Sequence, residues 1–147
     1  MAITNKKASF DYEFLDKYEA GIQLVGTEVK SIRENKCSIN EAFCFFKGGE
    51  LFIKQMHIAH YEHSGVKLNH DPLRDRKLLL NRKELEKLSK GLDVKGNTII
   101  PIKLYTNATG LIKLEIALSR GKKTYDKSQS IKERDIDRDS KREIKNL

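Results

Sequence analysis

The sequence predicts a mainly β protein: a small antiparallel barrel of the OB type, with about six strands, two or three short helices and a disordered C-terminal tail. Strand-like runs follow one another with short turns between them, which is typical of antiparallel pairing. The last 26 of the 147 residues contain neither Gly nor Pro and too few apolar side chains to pack on a barrel. Six short strands fit into about 120 residues as a closed barrel, and the OB type is a common RNA-binding form.

Alternation of apolar and polar residues predicts where the six strands lie. They are expected around Phe10, Tyr12 and Phe14 and over residues 21–25, 42–46, 51–58, 98–105 and 111–119. Two glycines within 47–50 suit a hairpin turn, and 107–110 is expected to join the last two strands. Pro101 lacks an N–H donor, which predicts an edge strand or a bulge at that residue.

Two helices are predicted from apolar spacing and from capping residues. The first covers 26–35, with Thr27 as its N-cap and Glu28 near the positive end of the helix dipole. The second covers 81–90, where Asn81 and Glu84 have the spacing of a capping box. Gly91 follows that helix directly and is expected at its C′ position.

Residues 61–77 show no periodic pattern, and a loop of this length in a compact domain is usually functional or disordered. Basic side chains at the end of this loop and directly after the last strand are well placed for phosphate. These predicted contacts are Arg74, Arg76, Lys77, Lys122 and Lys123.

The charge distribution predicts a division of the chain into two parts. Residues 1–120 have 20 basic and 15 acidic side chains, and residues 121–147 have nine basic and six acidic ones. We expect a folded RNA-binding barrel over 1–120 and a basic tail over 121–147 that is disordered when free and folds on a charged partner. A tail that merely improves solubility is the alternative.

The net charge of +8 points to a nucleic-acid partner, and other features exclude several classes. No nucleotide-binding glycine loop or hydrolase motif is found, so we expect neither an enzyme nor a cofactor or small-molecule substrate. His57, His60 and His63 do not share a strand face, so no metal site is expected. No signal peptide or membrane span is visible, and two cysteines are too few for a disulfide framework, which predicts a cytoplasmic protein. We also expect the protein to be monomeric.

These observations lead to a basic RNA-binding barrel and leave its RNA open. A ribosomal protein, or another constitutive partner of structured RNA, would have the same architecture. A metal-dependent nuclease using Glu62, Asp71 and Asp75 is a further alternative, although these carboxylates alternate with arginines as in an ordinary mixed-charge loop.

Six sequence blocks, in order and at matching spacing, give the chain a resemblance to a known family. They are 5–8 (NKKA), 19–22 (EAGI), 26–33 (GTEVKSIR), 76–80 (RKLLL), 121–127 (GKKTYDK) and 131–135 (IKERD). Together they resemble the SmpB family of SsrA-binding proteins over nearly the whole chain.

The resemblance implies an OB-type barrel that binds the tRNA-like domain of transfer-messenger RNA. It also implies delivery of that RNA to stalled ribosomes, where the tail becomes helical in the decoding centre and the message channel, so that incomplete peptides are tagged. The family's RNA-binding positions map to Asn5, Glu19 and Leu79, although Leu79 could equally be a core residue.

Further residues within the matched blocks are expected to serve the same two partners. Lys6, Lys7 and Lys30 are expected to contact the RNA. In the tail, the residues expected at the decoding centre are Tyr125, Asp126, Lys127, Lys132 and Arg134. The chain has Ser128 where the family usually has Arg, so one cation of that segment is missing.

Overall fold

The structure is a computed structural model that describes residues 2–63 and 69–122. It contains three helices within those residues: α1 (Ala8–Asp11), α2 (Gly26–Arg33) and α3 (Arg82–Leu92). The strands are β1 (Ala2–Thr4), β2 (Tyr12–Ile22), β3 (Cys37–Ser38), β4 (Phe43–Lys47), β5 (Glu50–Lys54), β6 (His57–Ile58), β7 (Arg76–Leu79), β8 (Asn97–Thr106) and β9 (Ile112–Gly121).

Six of the strands form a closed ring. They are hydrogen-bonded in the order β8-β4-β5-β7-β2-β9, and pairing of β8 with β9 closes the barrel. Every described pairing is antiparallel, and β1 adds to the outside of the ring along β8. The predicted fold class, a mainly β OB-like barrel with six strands in the ring, is confirmed.

The first predicted strand is wrong at its start. Ala8–Asp11 forms a helical turn, because the N–H groups of Phe10 and Asp11 both donate to the carbonyl of Lys7. Phe10 is therefore 78% exposed rather than half buried on a strand. The strand predicted separately at 21–25 is wrong beyond Ile22, because residues 21 and 22 are the end of β2 and residues 23–25 belong to no strand.

Three short strands, β1, β3 and β7, were not predicted, and β6 was predicted only as the end of a longer strand. Gln55 has a φ of 63°, which turns the chain after β5 and divides the predicted 51–58 strand in two. The second part, β6, pairs with β3 in a small separate sheet. The third short strand, β7, fills the gap between β5 and β2 and is needed to close the ring.

Pro101 lies within a central strand, and the predicted bulge accommodates it. The register of β8 against β9 shifts between Pro101 and Lys103, so the missing donor falls at an irregularity in the ladder. The barrel interior is filled by apolar side chains from all six ring strands, including the wholly buried Leu51, Leu104 and Leu114.

The N-terminus of α2 differs from the prediction in one residue. Val25, not Thr27, is the N-cap, and the Glu28 carboxylate accepts a hydrogen bond of 2.9 Å from the Val25 N–H. Thr27 bonds instead to His70, which fastens the helix to the chain that precedes β7.

The α3 helix confirms the predicted capping box and corrects the role of Gly91. Asn81 Oδ1 accepts from the Glu84 N–H at 2.9 Å, and Glu84 accepts from the Asn81 N–H at 3.2 Å. Gly91 is inside the helix rather than after it. A Cβ there would be 2.3 Å from Leu118, so glycine allows α3 to lie close against β9.

The C-terminal tail lies outside the described residues from position 123 onward, so the division into 1–120 and 121–147 stays a prediction. The last strand ends at Gly121, and the Lys122 N–H donates to the Asp11 carbonyl at 2.9 Å. None of the three described helices is long and apolar enough to cross a membrane.

Candidate RNA-binding surface

Two of the positions implied by the resemblance lie together on the outside of the barrel. Gly21 of β2 pairs with Leu79 of β7, and Glu19 is two residues from Gly21 on the same face of β2. A Cβ at Gly21 would be 3.3 Å from that of Leu79, so glycine leaves the leucine uncovered. We call the outward residues Glu19, Gly21, Lys77 and Leu79 the outer strand face.

The alternation along β7 settles whether Leu79 is core or surface. Leu78 points inward and is 2% exposed, whereas Leu79 is 46% exposed. An exposed leucine beside a glycine offers an apolar surface on which the flat face of a base or a ribose can rest. Lys77 is on the same side of β7 and is held by Glu50 at 2.6 Å.

Glu19 is oriented by a tyrosine from β8. The Tyr105 hydroxyl donates to Glu19 Oε2, and this bond, together with burial and nearby carboxylates, raises the pKa of Tyr105 to about 12. Lys103 Nζ lies 5.5 Å from the centre of the Tyr105 ring. The fixed carboxylate can accept hydrogen bonds from a ribose hydroxyl or a base N–H, which a phosphate cannot donate.

A buried ion-pair cluster lies on the α2 side of the barrel. Glu28 is fully buried and accepts from Arg76 Nε at 2.6 Å and from Arg74 Nη2 at 2.7 Å. Arg76 is itself 0% exposed, and its Nη1 donates to the Met56 carbonyl at 2.6 Å. We call Glu28, Arg74 and Arg76 the buried ion-pair cluster.

The predicted phosphate contact at Arg76 is therefore wrong. Its guanidinium donates to Glu28 and to the carbonyls of Met56, Asp71 and Pro72, so it cannot reach a ligand outside the barrel. The sequence contains the signal for this placement, because Arg76 is two residues from the inward Leu78 on the same strand. Arg74 remains about two-fifths exposed although it also contacts Glu28.

The cluster keeps Glu28 ionised. Burial acts to raise the pKa of the carboxyl, but hydrogen bonds from Arg74, the Val25 N–H and Arg76 outweigh it and hold that pKa below its ordinary value. Next to the cluster, His70 Nε2 donates to the Ile58 carbonyl at 2.9 Å, which leaves Nδ1 to accept from the Thr27 hydroxyl at 2.8 Å.

Lys30 lies on the exposed side of α2, with its Nζ 5.3 Å from the centre of the Tyr61 ring. It is solvent-exposed, as the predicted phosphate contact requires. The structure therefore brings Lys30 and Arg74 to one side of the molecule, around a cavity that both of them line.

The N-terminal residues form a separate area around α1. Asn5 is buried, and its Nδ2 donates to the carbonyls of Pro101 at 2.9 Å and Ile39 at 3.3 Å. Its Oδ1 is buried and has no hydrogen-bond partner among the described residues. Asn5 and Lys7 are among the residues that line a cavity of about 340 Å³ beside α1.

Three lysines surround the same area. The Lys6 N–H donates to Asn40 Oδ1, Lys7 pairs with Glu41 at 3.2 Å, and Lys122 Nζ donates to the Ser9 carbonyl at 2.8 Å. All three are exposed. The other predicted contacts, Lys123 and the tail residues Tyr125, Asp126, Lys127, Lys132 and Arg134, lie outside the described residues.

Sequence reasoning missed one surface feature. Phe45 of β4 and Phe52 of β5 stack on the outside of the barrel, with ring centroids 5.8 Å apart and planes inclined by 27°. The signal was present, because alternation with the inward Cys44 places Phe45 outward. Within residues 2–63 and 69–122, no group of three or more His, Cys, Asp or Glu side chains could hold a metal ion.

Comparison with known proteins finds matches along nearly the whole chain. A family model described as SmpB protein matches residues 2–146. The SsrA-binding protein of Bacteroides thetaiotaomicron is 54% identical over 143 residues, which cover 97% of this chain and 95% of that protein. That of Cytophaga hutchinsonii is 56% identical over 140 residues, covering 95% and 91%.

A solved structure agrees with these relatives. A chain in the structure described as "tmRNA-SmpB: a journey to the center of the bacterial ribosome" superposes with a TM-score of 0.70 and is 46% identical. The match covers 86% of this chain and 87% of that one. Because the family model spans almost every residue and the relatives are matched along nearly their whole length, this chain belongs to the SmpB protein family.

Proposed function

We propose that this protein binds the tRNA-like domain of transfer-messenger RNA and delivers it to stalled ribosomes for trans-translation, in which incomplete peptides are tagged. The names of the relatives, SsrA-binding proteins, support this proposal, as does the likeness to a chain from a tmRNA–SmpB structure of the bacterial ribosome. We further propose that the protein acts as a monomer in the cytoplasm, without catalysis and without a cofactor.

One observation carries the RNA-binding part of the proposal. Glu19 and Leu79, which are far apart in the sequence, lie on adjacent strands of one exposed face, and the carboxylate is held ready by Tyr105. A carboxylate and a leucine do not attract phosphate, so they favour recognition of base edges and ribose hydroxyls. Phosphates would then meet cations on the outer strand face, on the α2 side of the barrel, around α1 and at the start of the tail, for which we propose Lys6, Lys7, Lys30, Arg74, Lys77, Lys122 and Lys123.

The tail is assigned to the ribosome. Tyr125, Asp126, Lys127, Lys132 and Arg134 belong to matched blocks, and the family model extends over them. A basic segment fits a channel lined by RNA phosphate. Asp126 would be repelled there unless it accepts hydrogen bonds from bases or ribose hydroxyls, and Lys127 beside it offsets part of that repulsion.

The first test separates the barrel from the tail. A protein truncated after Lys123 should bind the tRNA-like RNA within a few-fold of the full chain in a gel shift and should fail to support peptide tagging on stalled ribosomes. Sequencing of the RNA that copurifies with the full chain should recover one long transfer-messenger RNA. Loss of RNA affinity on truncation would contradict the proposed division.

The second test concerns the departure at Ser128. Asp126→Ala combined with Lys127→Ala should impair tagging and leave RNA affinity unchanged, whereas Ser128→Arg should be neutral or improve tagging. Normal tagging by the double variant would remove this segment from the decoding centre. Reduced tagging by Ser128→Arg would mean that this tail binds the ribosome differently from that of the family.

A further inference from the structure

We propose that the stacked pair Phe45 and Phe52 forms the floor of a nucleobase pocket that receives one unpaired base of the bound RNA. This inference rests on the proposed function and adds a contact to it. The two phenylalanines line a cavity of about 330 Å³ on the outside of the barrel. We call it the phenylalanine pocket; its lining is completed by Lys47, Gly48, Glu50 and Asp75.

The strand geometry forces these two rings outward. Phe45 and Phe52 are direct partners across β4 and β5, while the neighbouring pair, Cys44 and Ile53, points into the core. Both rings are only partly buried. A stacked aromatic pair with free area on the surface can be continued by a third planar ring, and bases stack on aromatic side chains whatever their sequence.

The charges around the pocket favour a base inside it and phosphate outside it. The Glu50 and Asp75 side chains carry carboxylates that would repel a phosphate but can accept hydrogen bonds from the amino groups of a base. Lys54 Nζ lies 5.6 Å from the centre of the Phe45 ring, and neither Lys54 nor Lys47 has an ion-pair partner within the described residues. These two lysines are placed to meet the phosphates on either side of an inserted nucleotide.

Position in the barrel connects this pocket to the two areas already proposed to contact RNA. Phe52 pairs with Lys77, and Leu79 follows Lys77 by two residues on the same outer side. In the other direction Phe43, two residues before Phe45, lines the cavity at Asn5. From β4 to β2 the distance is three strand spacings, about 14 Å, so one RNA could contact all three areas.

A protein partner is the competing occupant of an exposed phenylalanine pair. The observations favour RNA, because Lys47, Lys54 and Asp75 have no ion-pair partner within the described residues and an apolar protein surface would supply none. Glu50, in contrast, is already paired with Lys77. A base with its flanking phosphates offers hydrogen-bond donors to Asp75 and anionic oxygens to the two lysines. The two occupants predict different results in a binding experiment with RNA alone.

The direct test uses tryptophan as a reporter, since the chain contains none. Phe52→Trp places an indole in the pocket, and Val94→Trp places one just after α3, where the native side chain is 53% exposed and outside every area proposed to contact RNA. Titration with the tRNA-like domain of transfer-messenger RNA should quench the fluorescence of Phe52→Trp and leave that of Val94→Trp nearly unchanged. Absence of quenching in a Phe52→Trp protein that binds the RNA would overturn the proposal.

An affinity measurement supplies the second readout. Phe45→Leu and Phe52→Leu keep apolar volume and remove the ring face, so each should weaken binding of the same RNA about tenfold. Val94→Ala, which changes an exposed apolar side chain outside the proposed RNA-binding areas, is the control and should leave affinity unchanged. Leucine variants that bind the RNA as tightly as the native protein would contradict the proposed nucleobase pocket. If such variants also associated more weakly with ribosomes, the two phenylalanines would instead contact a protein partner. Failure of the native protein to bind this RNA would contradict the proposed function instead.

Discussion

The buried ion-pair cluster and the outer strand face contain chemically similar residues in opposite surroundings. Glu28 has no contact with solvent and is held by two arginines, whereas Glu19 is exposed and is oriented by one tyrosine. A buried charge that loses its partner destabilises the fold, while an exposed carboxylate can be changed at little cost to stability. The comparison teaches that buried charged residues must be distinguished from exposed ones before any of them is proposed to contact RNA.

The largest loss of stability is expected when the buried ion-pair cluster is disrupted. Glu28→Ala leaves Arg76 as an uncompensated charge inside the barrel and removes the cap of α2. We expect the free energy of unfolding to fall by about 3–5 kcal/mol, measured by urea denaturation. The matched control, Glu19→Ala, should change it by less than about 0.5 kcal/mol. A Glu28→Ala protein as stable as that control would contradict the structural role of the cluster.

The same carboxylate predicts a pH dependence. Because the pKa of Glu28 is lowered in the folded state, the unfolded chain binds its proton at a higher pH than the folded one does. The resulting stabilisation is complete above the ordinary glutamate value of about 4.3 and is lost as the pH falls through the lower, folded pKa. Unfolding free energies measured in that acid range should fall less steeply for Glu28→Gln than for the native protein; equal slopes would exclude this contribution.

A smaller effect is expected at α3, which lies apart from both regions. Asn81→Ala removes the side-chain acceptor for the Glu84 N–H and should destabilise the protein by about 1 kcal/mol. RNA affinity should not change. Thermal unfolding and a gel shift on the same preparation would check both parts, and a loss of affinity would extend the RNA-binding surface to this helix.

The smallest expected effect is a loss of RNA affinity at the outer strand face. Tyr105→Phe removes the hydroxyl that orients Glu19 and keeps the ring under Lys103. RNA affinity should fall by about threefold, near 0.7 kcal/mol, with unfolding unchanged. In a Glu19→Gln background the tyrosine substitution should have less effect, and full additivity of the two changes would show that Tyr105 does not act through Glu19.

How well the sequence predicts the structure at each residue depends on whether local interactions or tertiary contacts determine the conformation there. Alternation located the β4–β5 and β8–β9 hairpins, and the Asn81 cap was correct because its bonds are local. The strand predicted at Phe10 was wrong because a helical turn that begins at Lys7 replaces it. The predicted C′ position of Gly91 was wrong because the glycine is required inside α3 by the close approach of Leu118, which only the tertiary structure reveals.

The candidate site shows the same limit. Glu19 and Leu79 came from resemblance, and only β7 pairing with β2 explains why they are neighbours. Arg76 was assigned to phosphate from its charge, although the strand period beside Leu78 already placed it inward. Alternation with the inward Cys44 already indicates that Phe45 points outward, but only the register of β4 with β5 shows that Phe52 is its direct partner.

The most direct test changes the two residues of the outer strand face that carry the proposal and measures RNA affinity and stability on the same protein. A Glu19→Ala, Leu79→Ala double variant should bind the tRNA-like domain of transfer-messenger RNA at least about tenfold more weakly than the native chain. Its free energy of unfolding should stay within about 0.5 kcal/mol of the native value, since both side chains are exposed. Native affinity in this stably folded double variant would contradict the assignment of RNA binding to the outer strand face.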